Sequence, residues 1–160
     1  MLNAQFNEWV GDGEITLRSF SQTDVGPLMV LCRKHAEFEG SECDLARIRH
    51  NCHIILSASG SPFCWVVAHQ GYLVGYVSGS LEFSTWNMWH YLHMDCIYLE
   101  TQYRGKGIGS WIIMLLASHS EKLGAKQIQW QTPTSNSDAI LFYNSLGATG
   151  KDKVRYTLDL

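Results

Sequence analysis

The sequence predicts an α/β (α+β) chain in which antiparallel strands pack with helices, and three observations predict it. Two β-type runs, Phe63–Ala68 and Tyr72–Phe83, are joined by His69-Gln70-Gly71, the pattern of an antiparallel hairpin. A third run, Met88–Glu100, is largely apolar on both faces, as a central strand is. After it, Arg104-Gly105-Lys106-Gly107-Ile108-Gly109 opens into a segment with Ile108, Trp111, Ile112, Leu115, Leu116 and Leu123 at helical spacing.

The 160 residues suffice for one domain with one real hydrophobic core, so a single domain over 1–160 is expected, with 1–12 as a loosely ordered leader. A net charge of -3 argues against nucleic acid as the main partner. Five cysteines without any Cys-x-x-Cys spacing, and no signal-peptide pattern ahead of Glu14, point to a reducing, cytoplasmic location. The longest apolar run, Trp111–Ala117, is far below the ~20 residues that cross a bilayer, so no membrane partner is expected.

Taken in order, Ile15, Leu17 and Phe20 fit an edge or half-buried strand from Glu14. Ser21, Thr23 and Asp24 offer cap oxygens to a helix with Pro27 in its first turn, carrying Leu28, Leu31, Cys32, His35 and Phe38 and ending before Gly40. Four carboxylates follow (Glu37, Glu39, Glu42 and Asp44), either a solvated loop with an acidic helix start or a rim that binds a cationic amine. A second helix spans Leu45–Leu56. Gly75 and Gly79 inside the second hairpin strand predict a bulge or a close backbone neighbour. Alternation along Met88–Glu100 puts Trp89, Tyr91, His93, Asp95, Ile97 and Leu99 on one face, opposite His90, Leu92, Met94, Cys96 and Tyr98. A short strand at Gln127–Gln131, a helix at Asp138–Leu146 stopped by Gly147, and a last alternating strand at Val154–Leu160 complete the chain.

The glycine run reads as an anion cradle, because glycines permit close backbone approach and the following helix presents unpaired N–H groups. Its Lys106-Gly107 order does not supply a Walker loop, and Ser110-Trp111-Ile112 stands where a dinucleotide loop needs its third glycine. What it does match is R-x-x-G-x-G, at Arg104, Gly107 and Gly109. The segment Tyr103–Gly109 resembles the acetyl-CoA pyrophosphate loop of the GNAT (Gcn5-related) N-acetyltransferase superfamily. A second segment of that family, an Asn before a helix with a Tyr near its end and a Gly-bearing turn, is matched by Asn136–Tyr143 and Leu146-Gly147-Ala148. Within the superfamily the chain is similar to the diamine and polyamine acetyltransferases of the spermidine/spermine type, through Tyr91–Leu99, Tyr103-Arg104-Gly105 and the acidic run.

The resemblance implies a central mixed, mostly antiparallel sheet flanked by helices, and acetyl transfer from acetyl-CoA to a primary amine by direct transfer in a ternary complex. It also implies a homodimer. The cofactor would be held by Tyr103, Arg104, Gly105, Lys106, Gly107, Ile108, Gly109 and Ser110 at the pyrophosphate, by the backbone of Ile97, Tyr98 and Leu99 along the pantetheine arm, and by Asn136 and Tyr143. Tyr143 matches the tyrosine that protonates the leaving thiolate, a role suited to a phenol of ordinary pKa about 10. Asp95 stands where the resembled enzymes carry a glutamate that accepts the amine proton, with His93 as the alternate base. Glu37 and Glu39 of the acidic run, with Trp86, Trp89 and Tyr91, are the candidates for acceptor binding, the aromatics through cation–π contact or else as core or dimer surface. His50, Cys52 and His53 make an incomplete zinc set, so no metal is expected. Two rival readings stand beside this one: an aminoglycoside, protein N-terminus or lysine as acceptor, and a CoA-binding sensor without catalysis.

Overall fold

A computed structural model describes residues 5–11 and 13–160, with side chains from Ile15 onward. The chain divides into two compact units, residues 1–130 and 131–160. The first holds strands β1 (Gln5–Gly11) and β2 (Gly13–Ser19), helices α1 (Val25–Glu39) and α2 (Leu45–Ser57), strands β3 (Phe63–His69), β4 (Tyr72–Ser84) and β5 (Trp89–Leu99), helix α3 (Ile108–Lys122) and the short strand β6 (Ile128–Gln129). They form one six-stranded sheet in the order β1-β2-β3-β4-β5-β6, antiparallel throughout except for the parallel β5–β6 pair. The second unit contains helix α4 (Ser137–Ser145). Among the described residues no helix is long and apolar enough to cross a membrane.

Strand β3 shows why the sheet is covered on both sides. Phe63, Trp65 and Val67 join Ile108, Ile112 and Leu116 of α3 in one core, whereas Cys64 and Val66 join Leu28 and Leu31 of α1 in the other. Alternate residues of a strand point to opposite faces, so burial on both sides demands a continuous apolar run. Each buried Leu, Ile or Val contributes about 1.5–3 kcal/mol relative to exposure, which makes these two layers the main source of stability. Cys52, Ile55 and Leu56 of α2 pack at the margin of the α1 core.

Strand β5 does not keep a single alternation. The β4–β5 register steps from Ser78↔Cys96 to Gly79↔Met94, which leaves Asp95 as the extra residue of a bulge. Leu92 and Met94 before the bulge and Ile97 and Leu99 after it therefore share the α3 face. Tyr98 and Cys96 face α1, and Tyr91 and His93 point away from the α3 face. The expected grouping of His93 and Asp95 with Ile97 and Leu99 is thus corrected, since one inserted residue reverses the parity of all that follow. Gly79 explains how the bulge fits: a Cβ there would lie 2.2 Å from the His93 carbonyl oxygen. At Gly75 it would lie 2.5 Å from the Tyr98 carbonyl oxygen, so both glycines have the close backbone neighbours their positions implied.

The two ends of the chain depart from expectation. Residues 5–11, expected within a loose leader, form β1, paired antiparallel with β2 from Gln5↔Arg18 to Gly11↔Gly13. Gly11-Asp12-Gly13 is hairpin-turn chemistry, and the edge of β2 offers the backbone partners that a leader would lack. Residues 1–4 and 12 lie outside the described residues. The strand expected at Val154–Leu160 does not form; residues 151–160 adopt no helix or strand, and Val154, Tyr156, Leu158 and Leu160 are exposed. Alternation specifies which face of a strand is apolar, but a strand exists only through its hydrogen-bonded ladder.

Candidate active site

The glycine-rich loop follows β5 through a 3-10 turn at Thr101–Tyr103. Gly105 and Gly107 have φ of 70° and 82°, and Gly107 is the N-cap of α3. A Cβ on Gly105 would meet nothing within 4 Å, so the left-handed backbone rather than lack of space requires glycine there. The first N–H groups of α3, at Ile108, Gly109 and Ser110, have no acceptor within the helix and lie at its positive dipole end. Ile108 is buried in the α3 core, so only its backbone can serve a ligand.

Arg104 is turned back from the loop. Its Nε donates to the Leu99 carbonyl oxygen at 2.8 Å, and its guanidinium lies 4.3 Å from the Phe38 ring centroid and 5.3 Å from that of Tyr98. Lys106 Nζ lies 6.0 Å from the Tyr103 ring centroid, and the Tyr103 hydroxyl meets His69 Nδ1 at 2.9 Å. Two left-handed glycines and an open helix start, with Arg104 turned away, fit a pyrophosphate held chiefly by main-chain N–H groups.

Next to the loop, β5 has an open edge. β6 pairs only with Leu92 and His93, flanked by Leu92 N–H to the Gln127 carbonyl at 2.9 Å and Lys126 N–H to the His90 carbonyl at 2.8 Å. Within residues 1–130, the half of β5 beyond His93 therefore has a strand partner only in β4. The side chains of Ile97, Tyr98 and Leu99 are taken up by the cores, and their backbone edge is what remains for an extended ligand arm.

Asp95, exposed at the bulge, accepts a weak hydrogen bond from the Cys96 thiol at 3.7 Å. His93 is half-buried on the face that Tyr91 shares. The histidine that the structure brings into the electrostatic field of Asp95 is His35, on α1. Its Nδ1 meets the Tyr76 hydroxyl at 2.7 Å, its Nε2 lies 3.3 Å from Glu39 Oε1, and its ring stacks on Tyr98 with centroids 5.0 Å apart. Burial lowers the His35 pKa from its ordinary value; Glu39 and Asp95 oppose that shift and Arg104 adds to it. His35 had been visible only as a member of the apolar stripe of α1; its one further signal was the i,i+4 spacing to Glu39.

The acidic run separates into distinct roles. Glu39 joins His35, Glu37 pairs outward with Arg33 at 3.8 Å, and Asp44 caps α2 by accepting from the Arg47 N–H at 2.9 Å. The aromatic candidates do not gather: Trp86 is 93% exposed in the β4–β5 turn, Trp89 is 37% exposed, and Tyr91 is half-buried. Among the described residues no group of three or more His, Cys, Asp or Glu side chains is placed to hold a metal ion.

In the second unit, Asn136 is the N-cap of α4, its Oδ1 accepting from the Ala139 N–H at 3.3 Å, which leaves its amide NH2 group for other partners. Tyr143 lies in the last turns of α4 with its ring 5.2 Å from that of Phe142. Gly147, at φ of 81°, follows the helix end.

Residues 29–148 match the sequence profile of the acetyltransferase (GNAT) family. The chain is 32% identical over 148 residues to the thialysine N-epsilon-acetyltransferase of Mus musculus, covering 82% of each chain. Its identity to the enzyme of the same name from Bos taurus is 30% over 151 residues, covering 84% of each. In structure it resembles a possible acetyltransferase from Clostridium difficile 630, with a TM-score of 0.76, 20% identity, and coverage of 91% of this chain and 97% of that one.

Proposed function

Because the chain belongs to the GNAT acetyltransferase family, and is an acetyl-CoA-dependent N-acetyltransferase, we propose that its acceptor is the primary amine of a small polyamine, diamine or amino-acid-like molecule. The observation that carries this reading is the convergence of Glu39 and Asp95 on His35: two carboxylates, from α1 and the β5 bulge, share one electrostatic neighbourhood. An ammonium group is the natural counterpart of such a pair. The similarity to thialysine N-epsilon-acetyltransferases supports the same class of acceptor.

When bound, acetyl-CoA supplies an acyl group activated as a thioester. The loop from Tyr103 to Ser110 would hold its pyrophosphate, and the open edge of β5 at Ile97–Leu99 would align its arm. A backbone N–H near Ile97 would hydrogen-bond the carbonyl oxygen as negative charge develops there. Asp95 would take the amine proton, directly or through water, in a direct transfer within a ternary complex. Tyr143 would hold the proton that the departing sulfur requires, and Asn136 would bond the arm through its amide. We further propose that the chain works as a single functional domain, in a reducing cytoplasm that suits its five free cysteines. A homodimer is proposed too, supported by the exposed Val154, Tyr156, Leu158 and Leu160.

A thiol-release assay with acetyl-CoA tests the acceptor class, using thialysine, spermidine, short diamines and an aminoglycoside. Turnover is expected on the small amines, with kcat/KM for the best of them at least about tenfold above that for the aminoglycoside. Preference for the aminoglycoside, or no turnover on any amine, would overturn the reading.

A further inference from the structure

We propose that His35 is a specificity-determining, positioning residue of the acceptor site: it orients Glu39, and its protonation state sets the negative charge that the site offers to a cationic amine. The proposal rests on the functional reading given above. Its basis is a hydrogen-bonded chain that runs through the α1 side of the sheet.

The Tyr76 hydroxyl on β4 begins that chain. It meets His35 Nδ1 at 2.7 Å. The opposite ring nitrogen, Nε2, lies 3.3 Å from Glu39 Oε1. A carboxylate can only accept, so Nε2 carries the proton in the neutral imidazole and Nδ1 accepts from the Tyr76 O–H. Both donors then point the same way, from Tyr76 to His35 and from His35 to Glu39. The stack of the imidazole on Tyr98, 5.0 Å between centroids, fixes the ring plane in which this alignment holds.

The charged and titratable groups facing His35 come from each element around it. Glu39 lies on α1, Tyr76 on β4, Tyr98 and Asp95 on β5, and Arg104 in the glycine-rich loop. With His35 neutral, Glu39 and Asp95 against Arg104 leave one net negative charge for the amine. With His35 protonated, the same set sums to zero. Protonation also makes Nδ1 a donor, so the Tyr76 hydroxyl must turn its own proton elsewhere. Burial and this alignment both favour the neutral form, and acid reverses the charge that attracts the acceptor.

The test is the KM for thialysine as a function of pH, with the KM for acetyl-CoA as a control, in the wild type, His35→Gln and Tyr76→Phe. The thialysine side-chain ammonium stays charged below about pH 8, so its own ionisation does not move KM there. In the wild type KM for thialysine is expected to rise several-fold as pH falls from about 8 to about 5, toward the roughly tenfold effect of one unit charge a few ångströms from an ammonium, with most of the rise below the ordinary histidine range because burial lowers the His35 pKa. Glutamine cannot gain a proton, so His35→Gln should hold that KM within about twofold over the same range, with KM for acetyl-CoA close to wild type. Tyr76→Phe keeps the aromatic packing but removes the bond that favours neutral His35, and should move the rise to higher pH. A flat wild-type profile, superimposable profiles in wild type and His35→Gln, or an unmoved midpoint in Tyr76→Phe would each overturn the proposal while the functional reading stands. A wild type that acetylates no amine would overturn both.

Discussion

Asp95 shows how far a single residue can be read from sequence. The resemblance to the polyamine acetyltransferases singled it out, and the structure puts it on the exposed bulge of β5 with its carboxylate beside the Cys96 thiol and in the field of His35. Burial pushes the Cys96 thiol up to about 12, so that thiol stays protonated at neutral pH and is a hydrogen-bond donor to Asp95, not a rival nucleophile. Asp95→Asn keeps the shape of the side chain but removes its basicity. It is expected to lower kcat by about a hundredfold, within the usual range for a lost general base, with KM for acetyl-CoA little changed. Steady-state kinetics would check this; a kcat within a few-fold of wild type would move proton acceptance to His93 or water. His35 was not legible in the same way. A histidine in an apolar helical stripe looks like core until the partner strand, here β4 with Tyr76, is known.

At the scale of elements, hairpins, caps and the glycine loop were legible because their chemistry is local. Gly40, Gly107, Gly124 and Gly147 all have positive φ at a helix end, where left-handed geometry costs glycine little. The β5 bulge was not legible, because a strand that is apolar on both faces hides a one-residue change of phase; only the shift from Leu92 and Met94 to Ile97 and Leu99 on the α3 core reveals it. Gly79 is the element's weak point. A methyl group there would meet the His93 carbonyl oxygen at 2.2 Å and Phe63 Cε1 at 3.1 Å, and neither the ladder nor the packed ring can retreat freely. Gly79→Ala is therefore expected to destabilise the fold by about 1–3 kcal/mol through overpacking. It should also lower kcat more than KM for acetyl-CoA, since the loop is built elsewhere. Thermal denaturation beside kinetics would check both, and a melting temperature and kcat equal to wild type would show that the bulge does not depend on this contact.

For the whole molecule, the β3–β4 hairpin and the two apolar faces of β5 followed from the pattern of apolar runs, whereas the one core expected is two, on opposite sides of the sheet, and both chain ends depended on partners that a sequence does not name. The early part of the fold is secured by a polar junction as well as by the burial of Leu17, Phe20, Leu28 and Leu31. Asp24, only 5% exposed, receives both guanidinium NH2 groups of Arg18 at 2.6 and 2.8 Å, together with the Ser21 N–H and hydroxyl, and so ties β2 to the start of α1. Burial alone would raise its pKa, but the hydrogen bonds from Arg18 and Ser21 and the charge of Arg18 outweigh it and hold the carboxyl below its ordinary value. A folded-state pKa below the unfolded one means that the unfolded chain takes up the proton first. The stabilisation is then complete above the ordinary carboxylate range and is lost as pH falls through the folded-state value. Asp24→Asn is expected to cost on the order of 2 kcal/mol at neutral pH, with Arg18 left half-paired and partly hydrated. In a chain of this size that loss lowers the melting temperature by about 4–8 °C. The gap between wild type and variant should narrow as pH is lowered from about 5 toward about 3, because the wild type loses a carboxylate the variant never had. Denaturation curves at three or four pH values decide the matter, and a gap that stays constant across them would mean that Asp24 acts through shape alone.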